Sequence, residues 1–187
     1  MNLEELAQAL KDGRISLTEW QAAMRDYLRQ QYTVATMLVN GGADHVTSSD
    51  WGYMGSLLKK QYAYLDNFAN DIANNPKAWL TGRLDVRMNM YKESAYAAYE
   101  DMNRREMTNA GMDEERRVLG EADHCPDCLM EAAQGWQPIG TLADIGDSVC
   151  TTNCKCTFEY RKTTVDMLFA PAQNNVDMLF APAITKG

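Results

Sequence analysis

The sequence predicts a mainly α protein, in which a long-helix amino-terminal region is followed by a small α+β module and an extended tail. Three observations carry this. Apolar residues recur at helical intervals through the first 110 residues; all five cysteines fall between residues 125 and 156; and the octapeptide VDMLFAPA occurs twice near the carboxy terminus. The expected divisions are residues 1–111, 112–162 and 163–187.

Each helix has its own start and stop. A short helix is expected from Leu3 to about Lys11, ended by Gly13. Ser16 and Glu19 have capping-box spacing, and Leu17, Trp20, Met24, Leu28 and Tyr32 then repeat at helical intervals until Gly41-Gly42, giving a helix of about 24 residues. TSSDW opens another, whose face of Leu57, Leu58, Tyr62, Leu65, Phe68 and Ile72 runs to Asn74. Asn75 can cap a restart with Pro76 in the first turn, where no amide hydrogen is needed. Trp79, Leu84, Met88, Tyr91, Ala95 and Tyr99 carry that helix to about Ala110, with Gly82 inside it. Methionines and tyrosines at this spacing are read as core, not as a ligand pocket.

After Gly111 the pattern changes. ERRVLG is short and strand-compatible, PDCLMEAAQ reads as one short helix, and CTFEYRK alternates as an edge strand does. A module of about fifty residues has so small a core that a bound metal would stabilise it substantially.

The two copies Val165–Ala172 and Val176–Ala183 are separated by QNN. A proline in each argues against one continuous helix, and two units are too few for a solenoid. They read as tandem linear motifs, with Val165, Met167, Leu168 and Phe169, and then Val176, Met178, Leu179 and Phe180, as anchors for a groove or sheet edge on a partner. A slippage duplication packed on its own chain is the alternative.

Composition narrows the function. At 187 residues and 45% hydrophobic, the chain can bury a core without disulfides, and no apolar run approaches a membrane span. MNLEELAQAL does not read as a secretory signal, so a reducing compartment is expected. The net charge is -8: residues 1–75 and 118–187 are acidic and residues 76–117 neutral in sum. The local basic set of Arg83, Arg87, Lys92, Arg104 and Arg105 is read as a solvated helix face, with Glu100–Arg104 and Asp101–Arg105 as i,i+4 pairs. Direct DNA binding is therefore not expected.

The cysteine pattern is C-x2-C, 21 residues, then C-x3-C-x-C. A C-x2-C turn lets two thiolates converge on one ion while nearby amides bond the sulfurs, and a second cluster can close a tetrahedron. Under reducing conditions such spacing favours a metal over disulfides. The candidates are Cys125, Cys128, Cys150, Cys154 and Cys156; the first four form the preferred set, with Cys156 as the main substitute and His124 after it. The expectation is one structural Zn2+ per chain, hence a zinc-stabilised module. No H-x-E partner accompanies HCPDC, and the other histidine, His45, lies in a glycine-rich loop, so no catalytic residue is assigned and no enzyme activity is expected.

The run ERRVLGEADHCPDCLMEAAQGWQPIGTLADIGDSVCTTNCKCTFEY resembles the carboxy-terminal module of the phage head-morphogenesis family, minor head proteins similar to the F protein of phage Mu. The matching elements are a strand, Cys125 and Cys128, Gly135-Trp136, the loop from Gln137 to Gly146, Cys150, and the NCKC cluster ending at Cys156. The segment GRLDVRMNMYKESAYAAYE resembles, more weakly, the helical region before that module. The family often has histidine where Cys150 stands and arginine where Lys155 stands, and the doubled tail lies outside its pattern. The resemblance implies a virion component made in the bacterial host cytoplasm, associated with portal or capsid, and acting in head assembly or genome delivery. Its expected partner is the portal or major capsid protein of the same virion, with self-association also open and no membrane contact. The alternative function is a zinc-module nucleic-acid binder assisting packaging.

Overall fold

The computed structural model describes residues 2–163. Most of them are helical. The helices are α1 (Leu3–Lys11), α2 (Leu17–Val39), α3 (Ser48–Asn74), a single turn α4 (Pro76–Ala78), α5 (Leu84–Asn109) and α6 (Pro126–Ala133). Strands β1 (Glu114–Val118), β2 (Gln137–Pro138) and β3 (Thr157–Arg161) form one antiparallel sheet in the order β2-β1-β3. The proposed tail anchors lie outside the described residues.

Local chemistry explains most boundaries. Ser16 and Glu19 make both bonds of the capping box expected for α2. The same device starts α1 at Asn2 and Glu5 and α3 at Thr47 and Asp50. Asn75 caps α4 through the amide of Ala78.

The helix expected to run unbroken from Asn75 to Ala110 is interrupted. Trp79–Arg83 forms a wide π-type turn, with non-helical backbone at Thr81 and Gly82. Gly82 has φ 132°, which a side chain disfavours, so the glycine marks a break and not a tolerated interior position.

Helices α2, α3 and α5 pack around one core, with α1 against them. Trp20, Met24, Leu28, Tyr32, Leu65, Phe68, Leu84 and Met88 are nearly or wholly buried there. Phe68 meets Trp20 and Trp79 edge-on, with centroids 5.8 and 5.0 Å apart. No described helix is long and apolar enough to cross a membrane.

α5 is covered on two sides, and this positions the module. Leu84, Met88, Tyr91, Ala98 and Met102 join the helical core. From other positions on α5, the Tyr96 hydroxyl donates to the Cys156 carbonyl at 2.8 Å, and Glu100 accepts from the Thr157 hydroxyl at 2.8 Å. The i,i+4 pairs expected on this helix do not form. Glu100 is buried, Arg104 pairs with Glu115 of β1 and with Asp144, Asp101 accepts from Tyr53, and Arg105 pairs with Asp50 of α3. Of the face read as solvated, Arg104 is covered by the module and Arg105 turns to α3, while Arg83 and Lys92 stay exposed.

β1 is the central strand. Its alternation turns Glu115 and Arg117 inward, 0% and 2% exposed, while Arg116 faces out to Glu159. Arg116 and Arg161 both lie over the Trp136 ring, with guanidinium carbons 4.9 and 4.4 Å from its centroid. β2 was not foreseen: two residues in a loop give no periodic signal.

Candidate metal centre

The five thiols lie together, and none is in a disulfide. They fall into two overlapping groups, Cys125, Cys128 and Cys150, and Cys128, Cys154 and Cys156, within each of which every sulfur is within 4.8 Å of the others. The grouped residues could hold a metal ion. The Sγ atom of Cys128 is 3.6 Å from that of Cys150 and 3.7 Å from that of Cys154. Zn–S bonds of about 2.3 Å in a tetrahedron require sulfur–sulfur edges of about 3.8 Å, so the spacing fits a soft, four-coordinate cation.

Three pieces of backbone bring these sulfurs together. Cys125 is the N-cap of α6, Pro126 opens the helix, and Cys128 follows one turn on, fully buried. Cys150 precedes the short 3₁₀ turn Thr151–Asn153, which ends at Cys154. Among the described residues Thr151 is the one non-glycine with positive φ, at 48°, a strained conformation adjoining Cys150. Cys156 then sits immediately before β3. Cys128, Cys154 and Cys156 share a small core with Leu142, Ile145 and Phe158, separate from the helical core.

Gly120 sets the approach of the last cluster. A Cβ there would lie 2.1 Å from the carbonyl oxygen of Lys155, so only glycine lets the end of β1 pass this close to the Cys154–Cys156 segment. The Gly120 carbonyl also holds His124, whose Nε2 is 2.8 Å away. Its other ring nitrogen, Nδ1, lies 3.7 Å from the Cys156 sulfur. The sequence ranked His124 last among the donors, and the structure places it beside Cys156 but in neither group of sulfurs.

The electrostatics are those of crowded thiols. The Cys128 amide above all, and that of Cys150, donate to the Cys125 sulfur and bring its pKa down to about 7. Burial raises Cys128, Cys150 and Cys156, the last to about 12. Burial also acts upward on Cys154, but the Cys156 amide and the adjoining thiols outweigh it and lower this group. Without a cation the cluster therefore retains protons that metal binding would release.

Arg117 stands beside it, a placement with no signal in the sequence. The guanidinium is buried, stacks over Phe158 with its carbon 5.1 Å from the centroid, donates to the Ala143 carbonyl, and has Nη1 4.0 Å from the Cys154 sulfur. Among the described residues no carboxylate lies within 4 Å of it. A charged residue in a strand reads as solvent-facing, and its burial depends on which elements cover it.

A cleft of about 490 Å³ lies between the helices and the loop carrying Asp144–Thr152. Its lining mixes Lys60 and Arg87 with Asp101, Asp144 and Asp147 around Tyr32. No protein-family model matches the chain, and no curated protein or solved structure matches it.

Proposed function

We propose that the protein is a structural minor head protein of a tailed bacteriophage, associated with capsid or portal and acting in head assembly or genome delivery. The observation that carries this reading is the run from Glu115 to Tyr160. It resembles the cysteine-rich module of the head-morphogenesis family, and its five thiols lie in one cluster beside a three-stranded sheet. In this reading the ion is Zn2+, held by thiolates as a structural clip: soft sulfur donors at tetrahedral spacing suit it, and a fully thiolate-ligated ion has no open position for water. The protein is made in the host cytoplasm and carried in the virion, and it is not an enzyme. The helices present the module, and the doubled VDMLFAPA segment docks on the portal or major capsid protein.

The test is mass spectrometry of purified particles of the phage that encodes the chain. Peptides from this protein at a copy number well below that of the major capsid protein support the reading. Their absence from complete particles and from assembly intermediates removes it.

A further inference from the structure

We propose that Arg117 is the counter-charge of the metal–thiolate centre, a buried cation that sets how tightly the cluster holds a divalent ion. This rests on the reading that the cluster binds metal, and it gives a role to a residue that is not itself a ligand.

A guanidinium stays protonated inside proteins, and a buried charge persists where an opposite charge meets it. Arg117 is 2% exposed, and its Nε has no hydrogen-bond partner. Nη2 donates to the Ala143 carbonyl, and the guanidinium carbon lies 5.1 Å from the Phe158 centroid. A carbonyl and a ring hold the group in place without neutralising it. Glu115, on the same inward face of β1, is taken by Arg104 and by the amides of Gly140 and Leu142. The anion within reach of Arg117 is the Cys154 sulfur as a metal-bound thiolate, 4.0 Å from Nη1.

The cluster has the converse need. Cys128, Cys154 and Cys156 are all buried and share a core with Leu142, Ile145 and Phe158. Three thiolates on a divalent ion leave a net charge of about minus one, and four leave about minus two. Such an excess is costly in an apolar core unless a cation stands beside it. Arg116, Lys155 and Arg161 pair instead with Glu159, Glu93 and Glu114. Arg117 pairs with no carboxylate among the described residues, so its charge acts on the sulfurs.

Strand pairing fixes the cation there. Arg117 stands opposite Phe158 in the register of β1 with β3, and β3 follows directly on Cys156. The pairing that buries the guanidinium therefore also delivers Cys154 and Cys156 to it.

Zinc competition against a chromophoric chelator, on the full chain, reads the affinity. Arg117→Met keeps the length and removes the charge, whereas Arg117→Lys keeps the charge. The expected result is zinc binding about 10–100-fold weaker in Arg117→Met, the range for losing a group that supports the ligands, with most of it recovered in Arg117→Lys. In the cobalt-loaded protein the sulfur-to-cobalt charge-transfer band should move to lower energy in Arg117→Met and return in Arg117→Lys, because a cation beside Cys154 stabilises the electrons on its sulfur. A packing role alone would lower stability without moving the band. Unchanged affinity in Arg117→Met, or an equal loss in the methionine and lysine variants, overturns the proposal and leaves the metal reading standing. No zinc on the unsubstituted protein overturns both. If Arg117→Met does not fold, Arg117→Gln against Arg117→Lys gives the same contrast. Zinc-bound folding of the lysine variant alone upholds the proposal, and failure of all three overturns it in favour of a requirement for shape.

Discussion

Arg104 on α5 places its Nε 2.8 Å from Oε2 of Glu115 on β1, and the carboxylate that it meets has no exposed surface. The other Glu115 oxygen accepts from the amides of Gly140 and Leu142 at 3.0 and 3.2 Å. One glutamate thus ties the module's central strand and its loop to the helical region. Removing one partner of a buried pair leaves an uncompensated charge, at a cost of about 3–5 kcal/mol. Arg104→Met is expected to lose about that much in urea denaturation, and adding Glu115→Gln should recover part of it. A loss below about 1 kcal/mol in the single variant would show that the pair does not join the two regions.

The acid limb of stability has an identifiable contributor. The Thr47 hydroxyl first, and then the Arg105 guanidinium, hold Asp50 down at about 2 from its ordinary 3.8. A depressed carboxyl contributes stability that is complete above its unfolded pKa and is lost as pH falls through the folded value. Asp50→Asn should therefore flatten the stability profile between about pH 4 and 2 and cost about 1 kcal/mol at neutral pH, typical of a cap or a part-buried pair. Glu100 acts with the opposite sign: burial raises it, so stability is lost as pH rises past its ordinary 4.5. Melting curves of Asp50→Asn and Glu100→Gln against pH separate the two.

Gly120 makes a sharper claim than an ordinary surface glycine. A methyl group added there meets the Lys155 carbonyl oxygen at 2.1 Å and its carbon at 3.1 Å, and backbone cannot rotate away as a side chain can. Gly120→Ala should displace the Cys154–Cys156 segment and the carbonyl that orients His124. The expected result is faster metal release to a competing chelator, with far-ultraviolet circular dichroism nearly unchanged. Release at the unsubstituted rate would mean that the contact is not structural.

The parts of the fold legible in the sequence are those written in local chemistry. Ser16 with Glu19, Asn75 with Pro76, and the spacing of Trp20, Met24 and Leu28 are signals within one or two turns, and the helices start and pack accordingly. The cysteine spacing likewise announced a cluster. Glu115, Arg117, Glu100 and Arg104 were misread or missed because their burial depends on which elements meet, and charged residues at helical or strand spacing look solvated until a second layer covers them. Gly82 shows the same limit at backbone level: the apolar period continues across it while the helix does not.

Metal removal should act on one part of the chain. The small core of Leu142, Ile145 and Phe158 includes three of the thiols, whereas the helical core contains none. Stripping the ion at neutral pH leaves buried thiols that must be protonated or repel one another, and a core this small has little else to hold it. Hydrogen exchange should rise from about Val118 to Tyr160 while α2 and α3 stay protected. Protection that is unchanged throughout after complete metal removal would sink the structural role assigned to the ion.

The two VDMLFAPA copies, outside the described residues, are identical in sequence. Each copy offers the same Met-Leu-Phe series, so each should bind the same partner surface, and two copies on one chain bind more tightly than either through effective concentration. Phe169→Ala or Phe180→Ala alone should then lower incorporation into particles by about 10²-fold or more if both copies engage together. If one copy suffices, each single change should have a small effect and only the double change a large one. Neither substitution should move the melting temperature. Full incorporation of the double variant would remove the docking role and leave the repeat as a duplication without a partner.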